Sequence, residues 1–296
     1  MIEDLPEPSS VDVDGPIAFR SWPGPPETTF VLIHGLGGSH LSWVQVASGL
    51  SGLGRVVAPD LPGFGRSPAA GRDARVMDLR RSLAAFVDKV ATGEVILVGN
   101  SMGGLIAMTA AAVDPDRVAG LVLTASVFPW VRGAIPHPAV LGAFAVYDLD
   151  GVGERVVRTR RRAVSPETFV SWGLRLLTVD PARIPPEIVD LQVELIRDTR
   201  EDPEQPRAFI QAAHSITSFV RTPAVSRRVM GAIRCPTLVI HGRRDRFVPA
   251  RYAEAALTSH PSWRGRILPD VGHVPQMERP DRWLGEVADW FGAELR

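Results

Sequence analysis

A serine that attacks carbon must be presented clear of neighbouring side chains, and the segment around Ser101 is built for that. It reads Gly99-Asn100-Ser101-Met102-Gly103-Gly104, directly after the apolar run EVILV and before the helix-favouring LIAMTAAAV. A strand-to-helix turn of this kind holds its central residue in a strained backbone conformation, and flanking glycines remove side chains that would clash with sheet and helix. The spacing therefore predicts a nucleophile at the carboxyl edge of a sheet, where the free N–H groups of the following helix stabilise negative charge. A bare G-x-S-x-G string arises by chance in a glycine-rich chain; its placement between strand and helix gives it meaning.

A serine hydroxyl is a poor nucleophile until a base takes its proton, and the base needs a third group to hold its tautomer. Among the seven histidines, His34 and His241 close apolar runs, whereas His40, His137, His214 and His260 have no matching partner in the sequence. His273 sits in the glycine-flanked loop DVGHVPQ after the last apolar run, where it is placed to reach across the sheet edge. The chain order serine, acid, histidine supports this choice. Asp245, in GRRDRFVP just past PTLVIHG, is the expected acid; Asp270, three residues before His273, competes with it but is read as serving the turn. An oxyanion forming at the attacked carbon needs preset backbone donors. His34-Gly35-Leu36-Gly37-Gly38 fits that need, with the amides of Leu36 and Met102 as the expected pair. The same glycines are a poor phosphate cradle, since neither G-K-[ST] nor G-x-G-x-x-G accompanies them. A histidine base also predicts activity that falls as the solution becomes acidic.

Elements must carry these residues to one place. VDVD (11–14) and PIAFRSW (16–22) flank Asp14-Gly15 and predict an antiparallel hairpin. TFVLIH (29–34), RVVAPD (55–60), EVILVG (94–99), RVAGLVLTAS (117–126) and PTLVIHG (236–242) are short apolar runs of the kind buried on both faces of a parallel sheet. RGRILPD (264–270) is a more polar last member. Between them lie helical spacings such as 75–90, with Val76, Leu79, Leu83, Phe86 and Val87 on one face. Strand alternating with helix predicts an α/β fold with a doubly wound, mostly parallel sheet. Residues 127–233 break the rhythm with helical pieces at 153–162, 166–177 and 184–197 and read as an inserted helical cap on a core of 1–126 and 234–296. Phe128, Trp130 and Val274 are the candidate substrate contacts. Phe144, Phe169 and Trp172 either line an apolar pocket or form the cap's own core. Arg158, Arg160, Arg161 and Arg162 are read as a solvated helix face rather than a greeting for an acidic substrate.

The bulk composition sets limits. With 45% apolar and 22% charged residues, the 296-residue chain has the make-up of a folded globular protein. Lys plus Arg and Asp plus Glu are both 33, so no overall field draws in nucleic acid or an anionic membrane. The opening MIEDLPEPSS lacks the basic start and apolar core of a secretory signal, and no apolar run reaches the ~18 residues of a membrane span, so a cytoplasmic location is expected. The single cysteine, Cys235, forbids an internal disulfide and is read as a packing residue. Oligomeric state has no residue signal.

HGLGG, PDLPGFGRS (59–67), GNSMGG, GRRDRFVP and GHVPQMERP, in this order, are similar to motifs of the α/β-hydrolase superfamily, a resemblance that covers 29–126 and 234–294. It implies a triad of Ser101, Asp245 and His273, no metal or organic cofactor, and a small-molecule ester substrate hydrolysed through an acyl-enzyme. Serine at the elbow argues against haloalkane dehalogenases and epoxide hydrolases, which place aspartate there. GNSMGG resembles the elbow of hydrolases that cleave carbon–carbon bonds in ring-cleavage products. That group usually carries Trp after its histidine, where this chain has Val274, and its oxyanion loop differs from HGLGG. Lactonases and thioesterases use the same apparatus, and some members of the fold bind small molecules with little turnover.

Overall fold

In the computed structural model, which describes residues 5–295, eight strands form one sheet in the order β1-β2-β4-β3-β5-β6-β7-β8. The first four residues of the opening stretch read for a targeting signal lie outside the described residues. The strands are β1 (Ser9–Asp12), β2 (Pro16–Trp22), β3 (Thr28–Ile33), β4 (Arg55–Pro59), β5 (Glu94–Asn100), β6 (Gly120–Thr124), β7 (Thr237–Gly242) and β8 (Arg264–Leu268). β3 through β8 are parallel, and β2 joins β4 antiparallel. β1 and β2 form the expected hairpin. Its turn takes up Val13, Asp14 and Gly15 rather than Asp14-Gly15 alone: the last two have φ of 49° and 117°, and the Asp12 carboxylate accepts the Gly15 N–H at 3.0 Å. Every residue of β3 and β7 is buried, as an interior parallel strand requires, while β8 at the edge is partly exposed.

The helices are α1 (Val44–Leu50), α2 (Val76–Val90), α3 (Met102–Val113), α4 (Pro138–Tyr147), α5 (Val152–Ala163), α6 (Pro166–Leu177), α7 (Pro186–Thr199), α8 (Gln205–Arg221), α9 (Pro223–Gly231), α10 (Ala250–Ser259), α11 (Pro275–Glu278) and α12 (Pro280–Glu294). One face of the sheet packs on α1 and α12 through Val46, Leu50, Trp283 and Trp290; the other packs on α2, α3 and α10 through Leu83, Phe86, Leu105 and Tyr252. Six helices, α4 to α9, form the insertion between β6 and β7. Ser165 caps α6 by accepting the Thr168 N–H, with Pro166 at the first helical position, where its missing N–H costs nothing. The helix expected from Ile184 starts instead at Pro186, because Ile184 and Pro185 each precede a proline, which pushes them out of the helical region, and Ile184 closes a short 3-10 turn. Ala208, Ala212, Ile216 and Phe219 of α8 belong to the same apolar cluster as Phe86 and Leu105, so the main core runs on into the insertion.

Candidate active site

Ser101 stands between β5 and α3 with φ 55° and ψ −115°, a conformation that non-glycine residues seldom adopt and that costs about 1–3 kcal/mol. The surroundings hold it there. Its N–H donates to the Thr124 carbonyl of β6 at 3.0 Å, and its own carbonyl accepts Leu105 N–H at 3.2 Å. The neighbouring glycines admit no side chain: a Cβ on Gly103 would lie 2.1 Å from the Ile33 carbonyl oxygen, and one on Gly99 2.3 Å from that of Gly103. The start of α3 therefore rests directly on the ends of β3 and β5.

Asp245, in the turn after β7, is fully buried by its side chain and accepts at both oxygens. Oδ1 takes the N–H groups of Phe247 (2.8 Å) and Val248 (3.0 Å), and Oδ2 lies 2.7 Å from Nδ1 of His273. Burial by itself would raise this carboxyl, but the adjoining His273 imidazole and the bonds from His241 and His273 hold it well below the usual carboxylate range. His273 follows β8, and its ring stacks on Phe247 at 4.8 Å between centroids. Ser101 and His273 line one cavity, of about 900 Å³, which Leu36, Phe128 and Val274 line as well. Among the described residues the Ser101 hydroxyl makes no hydrogen bond to the imidazole, a contact that free active sites often hold long and tighten on substrate binding. The amides of Leu36 and Met102 donate to no other group among the described residues.

Trp130 does not line this cavity and is 52% exposed. The loop after β6 turns its indole outward, and Val127 and Phe128 take the wall positions instead. Phe144, Phe169 and Trp172 do line it. Asp270 is held by Arg279 (2.6 Å) and Arg282 (3.0 Å) in a surface cluster, away from the imidazole of His273. Burial pushes the Cys235 thiol up to about 11, which leaves it a packing group.

Four positioning contacts have no signal in local spacing. Asn100, beside the serine, donates through Nδ2 to the carbonyls of Thr124 (3.0 Å) and His273 (3.1 Å) and so ties the elbow to the histidine loop. Glu278, whose carboxylate is wholly buried, accepts from Gly272 N–H at 2.6 Å and Val179 N–H at 2.8 Å, while the His273 N–H donates to the Leu177 carbonyl at 2.7 Å. The histidine loop is thus fastened to the end of α6. His34 accepts Leu61 N–H at Nε2 (3.0 Å), so its Nδ1 carries the proton and donates to the Gly35 carbonyl at 2.8 Å. This joins the HGLGG loop to the PDLPG stretch. His241 Nε2 lies 2.8 Å from the Val248 carbonyl and 3.2 Å from Asp245 Oδ2, two acceptors, which requires a proton on Nε2. Asn100 and Glu278 fall inside GNSMGG and GHVPQMERP, the signal through which they were open to discovery.

The sequence profile of the alpha/beta hydrolase fold matches residues 28–280. The chain belongs to that family. It is 29% identical over 278 residues to the dihydrolipoyllysine-residue acetyltransferase component of the acetoin cleaving system of Pseudomonas putida, covering 94% of this chain and 67% of that one. It is 29% identical over 265 residues to the 2-hydroxy-6-oxo-6-phenylhexa-2,4-dienoate hydrolase of Burkholderia cepacia, covering 85% and 83%. To the pimeloyl-[acyl-carrier protein] methyl ester esterase of Edwardsiella ictaluri it is 26% identical over 267 residues, covering 88% and 92%. Among the described residues no helix is long and apolar enough to cross a membrane, and no group of three His, Cys, Asp or Glu side chains is arranged to hold a metal ion.

Proposed function

We propose that the chain hydrolyses carboxylic esters through an acyl-enzyme on Ser101. The reading rests on one observation: a strained serine at a strand-to-helix turn opens on the same cavity as a buried, hydrogen-bonded His273–Asp245 pair. Ser101 Oγ attacks the ester carbonyl as His273 Nε2 takes its proton, and the amides of Leu36 and Met102 receive the oxyanion. His273 returns the proton to the departing alkoxide, then draws one from water that cleaves the acyl-enzyme. Asp245 stays ionised throughout and holds the imidazole with Nε2 toward the serine. Residues 127–233 act as a cap, with Phe128 and Val274 against the substrate. Similarity to a methyl ester esterase supports the ester class.

A labelled fluorophosphonate is expected to modify the wild-type protein and not Ser101→Ala, and p-nitrophenyl esters to be turned over only by the former. Labelling that survives Ser101→Ala would remove the nucleophile from the scheme. Carbon–carbon bond cleavage is the second reading, favoured by similarity to the Burkholderia cepacia hydrolase. A dienoic ring-cleavage product assayed beside the esters separates the two: faster turnover of the dienoate decides for the second.

A further inference from the structure

The cavity's walls carry one sign of charge. Arg160, Arg161, Arg175 and Arg221 line it and no aspartate or glutamate does, among the described residues. Within the run expected to be a solvated face, the members divide. Arg158 pairs with Glu154, and Arg162 with Glu201 at 3.3 Å, both facing solvent. Arg160 and Arg161, the two that line the cavity, form no ion pair among the described residues. Arg221 is already taken by Asp148 at 3.2 Å.

Arg160 is held in place by stacking rather than by an acid. Its guanidinium lies over the rings of Phe169 (5.2 Å) and Trp172 (5.7 Å) and beside the Tyr147 phenol. Arg161 donates one Nη2 to the Thr199 carbonyl at 2.9 Å, and its buried Nε has no partner. A buried, charged donor left unbonded is costly, so an acceptor brought there by a ligand would be favoured. Burial lowers the Arg161 pKa, a shift that the Asp202 carboxylate only partly offsets. Between these arginines and the oxyanion loop runs an apolar wall. Tyr147 meets Phe209 edge-on at 5.2 Å, and Phe209 covers Gly37, with a ring carbon 3.1 Å from where a Cβ there would stand.

The geometry points to an ester whose apolar chain ends in a carboxylate, with the scissile carbonyl at Ser101 and the carboxylate on Arg160 and Arg161. This rests on the ester-hydrolase reading. A planar guanidinium matches a carboxylate through paired N–H donors, and a cleft of one sign with apolar walls concentrates ligands of the other. The chain itself lies along Phe209 and Tyr147.

Binding and turnover are measured separately so that the two readings fail separately. On Ser101→Ala, titration calorimetry compares the monoethyl ester of octanedioic acid with ethyl octanoate; the anionic ester is expected to bind about tenfold more tightly, the worth of a charged hydrogen bond. That ratio is expected to fall toward one at high salt, and in Arg160→Gln and in Arg161→Gln, each combined with Ser101→Ala. Arg160 is exposed, so its variant tests the site even where Arg161→Gln fails to fold. On the wild-type protein, kcat/KM for the matched mono-p-nitrophenyl ester and p-nitrophenyl octanoate is expected to show the same ratio. Equal affinities, or a preference that outlasts both arginine changes, overturn the carboxylate site. Tight, arginine-dependent binding without turnover of any ester supports the site and overturns the ester-hydrolase reading.

Discussion

Asp245 meets donors on both oxygens, and they differ in kind. The amides of Phe247 and Val248 come from its own turn, whereas His241 comes from the strand before it. With Nε2 protonated, His241 draws negative charge away from the oxygen that faces His273. In His241→Gln that share returns to His273, imidazolium is favoured, and the acid limb of the kcat/KM profile is expected to move to higher pH. A loss of thermal stability with an unmoved profile would make His241 a packing residue only. At this scale Ser101, Asp245 and His273 were legible as candidates because each sits in a turn with its own glycines or a strand before it. Asn100, His241 and Glu278 were not, because each acts through contacts made in three dimensions: Asn100 and His273 are 173 positions apart. Trp130 was misread because aromatic type says nothing about which side of a loop a ring will take.

The elbow is an agreement among three elements, and glycine is its condition. At Gly103 an added Cβ meets the backbone oxygen of Ile33, which cannot yield without breaking the β3 ladder. Gly103→Ala is expected to cost ~3 kcal/mol or more, the upper end of overpacking, read as a fall in the urea midpoint. Gly285, exposed in the middle of α12 with nothing within 4 Å of its added Cβ, is the control; Gly285→Ala is expected to stabilise by about 1 kcal/mol. If both variants shift the midpoint alike, the close contact at α3 is not what limits residue 103. Strands were legible wherever burial on both faces made a continuous apolar run. Boundaries moved where prolines or turn polar groups decided them, as at Pro186 and at Val13 to Gly15. The α8 helix, which carries the core into the insertion, has no feature in sequence that marks its partner.

Acid stability is a property of the whole molecule, and two buried carboxylates set part of it. Asp60 accepts from His40 N–H at 2.6 Å and Arg66 N–H at 2.8 Å; burial opposes its charge, but His40 and these bonds hold its pKa below the usual value, as at Asp245. The folded state therefore binds fewer protons than the unfolded chain, whose aspartates titrate near ~3.9. The contribution of Asp60 is complete above that pH and is lost as pH falls through the lower, folded value. Asp60→Asn is expected to be less stable than wild type at pH 7 and to lose less further stability between about pH 5 and pH 3, followed by urea midpoints at each pH. Parallel curves for the two proteins would show that Asp60 is charged to the same degree folded and unfolded.

The bond from the His273 amide to the end of α6, with Glu278 beside it, has a cost for the way this protein admits its guests. Swinging α6 outward would tow the imidazole off the serine at the same stroke. Under the proposed scheme α6 is expected to keep its place while the base works, so any opening of the insertion falls on its other helices.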